Sequence, residues 1–277
     1  MNKLSLYASL LILMTALFGS QTYSAISEEQ KKMIESLPPD QRASVLAQME
    51  QAQQLQDKVD EAFEEDSTLI ERPEGKIEAK YSHNKDSDSP IVIILHPDPA
   101  KGGTMHTKLV FKLYKIFIES GFSTIRFNFR GVGKSEGIFD DGEGELSDAA
   151  CVLDWLQQYN TNSKICWVAG FSFGAWIAMQ LLMRRPEING FVSVSPPANL
   201  RDFSFLAPCP SSGLIMHGDK DNIASFDSTK ILVEKLQQQK KVDIKFKPIK
   251  GADHFYESYS SQFEDSINEY INQTIEK

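Results

Sequence analysis

The stretch VAGFSFGAW, Val168 to Trp176, decides the fold. It joins the apolar run KICWV to the equally apolar AWIAMQLLM, so it reads as a strand, a sharp turn and a helix. At its centre Gly170-Phe171-Ser172-Phe173-Gly174 is a Gly-x-Ser-x-Gly. Between a strand and a helix this pattern has a physical meaning. Small residues on either side let strand and helix approach closely, and the turn forces the serine into strained backbone geometry. Its Oγ is thereby exposed at a helix N-terminus, where backbone N–H groups can hold an oxyanion. The simpler alternative is an ordinary strand-to-helix turn; the long apolar runs on both sides favour the nucleophile reading.

Outward from this stretch, strands and helices alternate. KIEAKYS, PIVIILHPDP, FSTIRFNF, KICWVAG, GFVSVSPP, GLIMHGD and VDIKFKPI read as strands, several of them continuous β-branched runs buried on both faces. TKLVFKLYKIFIES, ELSDAACVLDWLQQY, FGAWIAMQLLMRR, SFDSTKILVEKLQQQK and YESYSSQFEDSINEYINQTI read as helices. The expected class is α/β, with a mostly parallel central sheet covered by helices on both faces. Between GFVSV and the next strand only SPPANLRDFSFLAPCPSS intervenes, too short for a large lid domain. Phe203, Phe205 and Leu206 in that segment are equally readable as an acyl pocket and as a packed surface loop.

A serine is a poor nucleophile at neutral pH without a histidine base oriented by a carboxylate. In a strand–Ser–helix arrangement of this kind the acid and then the histidine follow the serine in the chain. After Ser172 only His217 and His254 remain. His217 ends the strand GLIMH, where it helps to shape a loop, whereas His254 lies between the last strand and the last helix, where the base belongs. Asp219 and Asp221, after GLIMHG, are the two candidate acids, and Asp253 reads as a solvated loop carboxylate.

A second stretch, RFNFRGVGKSEG from Arg126 to Gly137, imitates a phosphate-binding loop through Gly-Lys-Ser. That loop needs a glycine five residues before the Gly of Gly-Lys-Ser and a helix starting at the lysine. The required position is Asn128, and SEGIFDDGEGE downstream is a loop. A nucleotide site is therefore excluded. No metal-ligand spacing or dinucleotide fingerprint occurs either, and no cofactor is implied.

Taken in order, HPDPAKGGTM, NFRGVGKSEGIFDDGEGELSDAACVLDWL, GFSFGAW, HGDKDNI and GADHFY resemble the α/β-hydrolase superfamily. Within it they resemble the small bacterial serine hydrolases with His-Pro-x-Pro and Asn-Phe-Arg-Gly-x-Gly-x-Ser motifs. The resemblance covers Lys76 to Lys277. It implies the α/β-hydrolase fold and selects Asp221 over Asp219, because similar hydrolases carry the acid just before a step like Asn222-Ile223. It also implies that the turn at His96-Pro97-Asp98-Pro99 supplies the second oxyanion N–H. Proline has none, so Asp98 is the expected donor beside Phe173. The family usually has a histidine where Asp98 stands, and a carboxylate facing the oxyanion would oppose it unless the side chain points away. His96 is expected to be structural.

The 277 residues are 41% apolar, enough for one sizeable core. A net charge of −9 with no basic patch argues against nucleic acid as a partner. Residues 1–24 are expected to be a signal peptide: Met1 and Lys3, the uncharged LSLYASLLILMTALF, then small residues before cleavage near Ser24, with an uncleaved anchor as the minority reading. Residues 25–72 are expected to form a helical extension and 73–277 the catalytic domain. Within 28–66, Val45, Met49, Ala52, Leu55, Val59 and Phe63 recur at helical spacing, a stripe that packs on its own domain or docks a protein partner. Cys151, Cys166 and Cys209 form no disulfide framework. The expected function is an exported, periplasmic or envelope serine hydrolase acting on a small-molecule ester through Ser172, His254 and Asp221; peptidase, thioesterase and acyltransferase chemistry use the same parts. The alternative from another class is an envelope-associated binding protein with a vestigial hydrolase fold.

Overall fold

The computed structural model describes residues 66–275 and, ahead of them, 32, 34–39 and 41–47. The expected signal peptide and most of the 28–66 stripe lie outside the described residues. Of the N-terminal segment, residues 41–47 are helical, and Ile34 and Val45 are buried. Among the described residues no helix is long and apolar enough to cross a membrane.

Eight strands form one sheet in the order β1-β2-β4-β3-β5-β6-β7-β8. They are β1 (Asp66–Arg72), β2 (Gly75–Ser82), β3 (Ile91–Leu95), β4 (Ser123–Phe127), β5 (Cys166–Phe171), β6 (Gly190–Val194), β7 (Gly213–Gly218) and β8 (Ile244–Ile249). Strands β3 to β8 pair in parallel, and β1 and β2 add an antiparallel hairpin on the β4 edge. The sheet begins earlier than the sequence reading placed it. Asp66–Arg72, assigned there to the helical extension, is β1, because the turn at Arg72–Gly75 folds it back on the alternating β2.

Helices α1 (Lys108–Glu119), α2 (Glu143–Tyr159), α3 (Phe173–Arg184), α4 (Phe226–Gln237) and α5 (Ser260–Ile275) connect or follow these strands. The pleat divides the apolar residues between two cores. Ile91, Ile93 and Leu95 of β3 face one core with α2, α3 and α4, and Val92 and Ile94 face the other with α1 and α5. Each fully buried aliphatic side chain contributes about 1.5–3 kcal/mol, so a run such as IVIIL is stable only with helices on both sides. Helix α2 starts two residues earlier than its periodicity suggested. The Glu145 carboxylate reaches back to the N–H groups of Asp140 (3.0 Å) and Gly142 (2.7 Å), capping the first turn. All three cysteines are free thiols, and burial pushes Cys166 up to about 12.

The Gly-Lys-Ser loop after β4 is closed by the chain's own carboxylate. Glu78 Oε2 accepts from Asn128 Nδ2 and from the Lys134 N–H, both at 2.8 Å. Ser135 Oγ donates to the Asn128 carbonyl (2.6 Å) and accepts from the Glu78 N–H (2.9 Å). The Lys134 N–H and the Ser135 hydroxyl are thus committed within the chain.

Beside this loop lies the fully buried carboxylate of Asp148, on α2. It accepts from Arg130 Nη2 at 2.7 Å and from the Arg130 N–H at 2.9 Å, and Arg72 Nε lies 3.4 Å away as an ion-pair contact without a hydrogen bond. One residue thereby fastens α2 to β1 and to the loop after β4. Removing one partner of a buried pair strands the others. Asp148→Ala is expected to cost about 3 kcal/mol of stability in urea unfolding; a loss below ~1 kcal/mol would show that the two arginines find other partners.

Candidate active site

The chain leaves β3 toward β4 on one side and returns to β5 on the other, so the crevice at the C-terminal ends of β3 and β5 is a topological switch point, where α/β sheets bind ligands. The ends of those two strands carry His96–Asp98 and Ser172. Ser172 sits between β5 and α3 with φ 55° and ψ −117°, a conformation costly for a non-glycine residue. The flanking glycines explain how it persists. A Cβ on Gly174 would lie 2.3 Å from the Leu95 carbonyl oxygen and 2.4 Å from that of His96, and one on Gly170 would lie 2.4 Å from the Gly174 carbonyl oxygen. Only glycine permits these approaches. They seat the start of α3, with Phe173, directly on the turn that carries Asp98.

Strands β7 and β8 bring Asp221 and His254 together. Gly218 lets the two following loops touch, since a Cβ there would fall 2.3 Å from the Ala252 carbonyl oxygen. The Lys220 N–H donates to Ala252 O (3.0 Å), and Asp219 Oδ1 accepts from the Gly251 N–H (2.6 Å). Asp219 therefore holds the loop. Asp221 Oδ2 lies 2.6 Å from His254 Nδ1, and Asp221 Oδ1 accepts from the N–H groups of Ile223 and Ala224, each at 2.8 Å. Burial alone would raise the pKa of Asp221. Hydrogen bonds from His217 and His254, and the nearby His254 charge, outweigh it and hold the carboxyl well below its usual range. His254 is nearly buried, with its ring centroid 4.9 Å from that of Phe171, the residue before Ser172. Tyr256 anchors the same loop through its hydroxyl, 3.1 Å from Ser195 Oγ.

His217 has a larger part than its place at a strand end suggested. Its Nε2 is 3.2 Å from Asp221 Oδ2 and 3.1 Å from the Ala224 carbonyl, so Asp221 is gripped by two imidazoles. The spacing His-x-x-x-Asp was visible in the sequence, but not that the turn folds the acid back onto the histidine. Arg201 was not singled out either. Its guanidinium lies over the rings of Phe173 (5.3 Å) and Trp176 (4.8 Å) and pairs with Asp141 at 2.6 Å. Phe203 and Leu206, read as possible pocket lining, belong to the core on the α3 side of the sheet.

The His96–Pro97–Asp98–Pro99 turn is held from within. His96 is fully buried; Nε2 accepts from the Phe129 N–H (3.0 Å), leaving Nδ1–H for the Pro97 carbonyl (2.6 Å). Burial lowers its pKa to about 3, so it is a neutral cross-brace between the β3 and β4 loops. Asp98 Oδ1 accepts from the Ala100 N–H at 2.9 Å, and its Oδ2 is 3.9 Å from Lys101 Nζ. The side chain caps its own turn. Among the described residues no cluster of three or more His, Cys, Asp or Glu has metal-site geometry.

A strained serine at the switch point, on an eight-stranded sheet of this order, defines an α/β serine-hydrolase-type enzyme. Residues 39–247 match the X-Pro dipeptidyl-peptidase (S15) family, and the chain belongs to it. A Rickettsia prowazekii protein is 51% identical over 203 residues, spanning 72% of this chain and 85% of that one. A solved structure of an Agrobacterium tumefaciens protein of unknown function, described as a candidate α/β hydrolase, is 49% identical with a TM-score of 0.74, over 76% of this chain and 97% of that one. A more distant relative is the lysophosphatidylserine lipase ABHD12 of Bos taurus, 26% identical over 170 residues, which are 53% of this chain but only 42% of that protein.

Since the Asp98 carboxylate caps its turn, removing it affects the loop. Asp98→Ala is expected to lower stability by about 1 kcal/mol, read as a lower Tm. An unchanged Tm would mean that the capping bond contributes nothing.

Proposed function

We propose that the protein hydrolyses carboxylic esters through an acyl-enzyme, with Ser172 as nucleophile, His254 as base and Asp221 orienting His254. The observation that carries this is the pairing of a positive-φ Ser172 with the 2.6 Å His254–Asp221 bond. Because Nδ1 of His254 is committed to Asp221, its Nε2 is the nitrogen left to take the Ser172 proton. Ser172 Oγ attacks the carbonyl as that proton passes to Nε2, and the N–H groups of Phe173 and Asp98 hold the resulting oxyanion. His254 then returns the proton to the departing alcohol. A water, deprotonated by the same nitrogen, cleaves the acyl-enzyme and restores Ser172.

Ester rather than peptide is supported by the lipase relative. The family description favours a second reading, cleavage of X-Pro dipeptides. The same site also fits small-molecule substrates of either kind. The two readings separate on p-nitrophenyl butyrate against a Gly-Pro anilide: faster turnover of the anilide sinks the ester reading. Fluorophosphonate is expected to label the wild type at Ser172. Ser172→Ala is expected to lose label and at least about 10⁴-fold in kcat while keeping its fold; full activity in that variant removes the assignment.

Export is part of the same proposal and rests on the composition of residues 1–24. N-terminal sequencing of protein from the cell envelope is expected to start near Ala25 or Ile26. A chain that keeps Met1 in the membrane fraction supports an anchor instead.

A further inference from the structure

Seven large apolar side chains are exposed among the described residues, and four of them stand on loops at the C-terminal ends of the parallel strands. Ile138 is 83% exposed, Leu200 55%, Phe255 42% and Ile223 39%. They belong to four different loops, those following β4, β6, β8 and β7, all at the C-terminal ends of strands that run parallel to β5.

These loops are tied to one another in succession. Arg201 Nη2 donates to Asp141 Oδ1 (2.6 Å), joining the β6 loop to the β4 loop. The Ser225 N–H donates to Asn199 Oδ1 (2.9 Å), joining the β7 loop to the β6 loop. His254 and Asp221 join the β8 loop to the β7 loop at 2.6 Å. Each apolar side chain stands within three residues of such a tie: Ile138 near Asp141, Leu200 between Asn199 and Arg201, Ile223 between Asp221 and Ser225, Phe255 next to His254. The arc is also fastened to the serine. Phe139, after Ile138, lies 5.9 Å from the Phe173 ring, and Phe255 lies 5.2 Å from the His254 ring and 6.0 Å from Phe171. Within the arc Arg201 and Asp141 neutralise each other. Isolated exposed apolar residues are ordinary, but four of them carried on loops that are bonded to one another beside Ser172 place apolar surface next to the site.

We propose that Ile138, Leu200, Ile223 and Phe255 form an apolar rim that receives the acyl chain of the substrate, so that the preferred ester carries an unbranched chain of roughly eight carbons or more. This rests on the ester-hydrolase reading above. An acyl group attached to Ser172 extends away from the serine, and the loops carrying the rim are the apolar surface beside it. Each methylene laid on such a surface raises kcat/KM by up to about fourfold.

The test uses p-nitrophenyl acetate, butyrate and octanoate, all below their critical micelle concentrations, with the wild type, Ile138→Ser, Leu200→Ser and the double variant. The wild type is expected to show an octanoate-to-acetate ratio in kcat/KM of at least about tenfold, and each substitution is expected to lower that ratio about three- to tenfold. A flat chain-length series in the wild type, or an unchanged ratio in the folded double variant, overturns the rim. Sedimentation with phosphatidylcholine vesicles supplies the other arm. Vesicle binding that disappears in the double variant while the ratio stays unchanged assigns the rim to a lipid surface and overturns its role in substrate choice. If no ester is hydrolysed and fluorophosphonate leaves Ser172 unlabelled, the ester reading fails by itself. Calorimetry with 1-octanol then decides the rim: binding by the wild type that is weakened in the double variant supports an apolar-chain contact, and equal or absent binding overturns it.

Discussion

Gly174 rests on the carbonyl oxygens of Leu95 and His96 with no room for a Cβ, and the rest of the site depends on that contact. It presses the first turn of α3 onto the end of β3, so the chain between β5 and α3 has a single residue in which to reverse. That residue is Ser172, held at positive φ at a cost of about 1–3 kcal/mol. The strain persists because two helix-covered cores hold both ends of the turn in place. The same contact sets the N–H of Phe173 beside the turn that carries Asp98. A looser junction would relax the serine.

Around this junction the polar groups are satisfied inside the chain. Glu78 accepts from Asn128 and the Lys134 N–H in the Gly-Lys-Ser loop, His96 braces the β3 turn against Phe129, and Asp148 gathers Arg72 and Arg130. Each of these buried groups would be costly left alone. Together they tie the loops after β3 and β4 to the body of the domain. Asp221 follows the same logic in the loop after β7. Two histidines and two backbone N–H groups hold its carboxylate ionised and in one orientation.

The ties between loops are polar and short, and beside them exposed apolar side chains alternate with exposed polar ones such as Asp140, Asp202 and Asn222. An ion pair such as Arg201–Asp141 is worth little as a surface salt bridge. Here it lies over the rings of Phe173 and Trp176, so its chief effect is positional: it keeps the β4 and β6 loops at a fixed distance across the start of α3.

Local patterns in the sequence determined the elements. Continuous β-branched runs, amphipathic helices and the glycines around Ser172 act within a few residues, so β3 to β8 and α1 to α5 were legible within a few positions. The candidate residues came from the sequence too: Ser172 from a motif and His254 from chain order, whereas Asp219 and Asp221 stayed open until the resemblance to the small serine hydrolases selected Asp221. The failure of the phosphate-loop pattern was equally plain at Asn128, although the carboxylate occupying that loop comes from β2, fifty residues away. What only the tertiary structure decided were contacts between residues far apart in the chain. Asp66–Arg72 has weak strand character by itself and became β1 by pairing with β2. Asp98 offered a side chain that faces the oxyanion or caps its turn, and the Ala100 N–H settled which. His217 gripping Asp221, Arg201 over Phe173, and the gathering of four apolar residues at one rim arise from loops that meet because the sheet orders its strands as β4-β3-β5-β6-β7-β8. Periodicity and propensity carry no information about which loops become neighbours; strand order does, and strand order is set by packing across the whole domain.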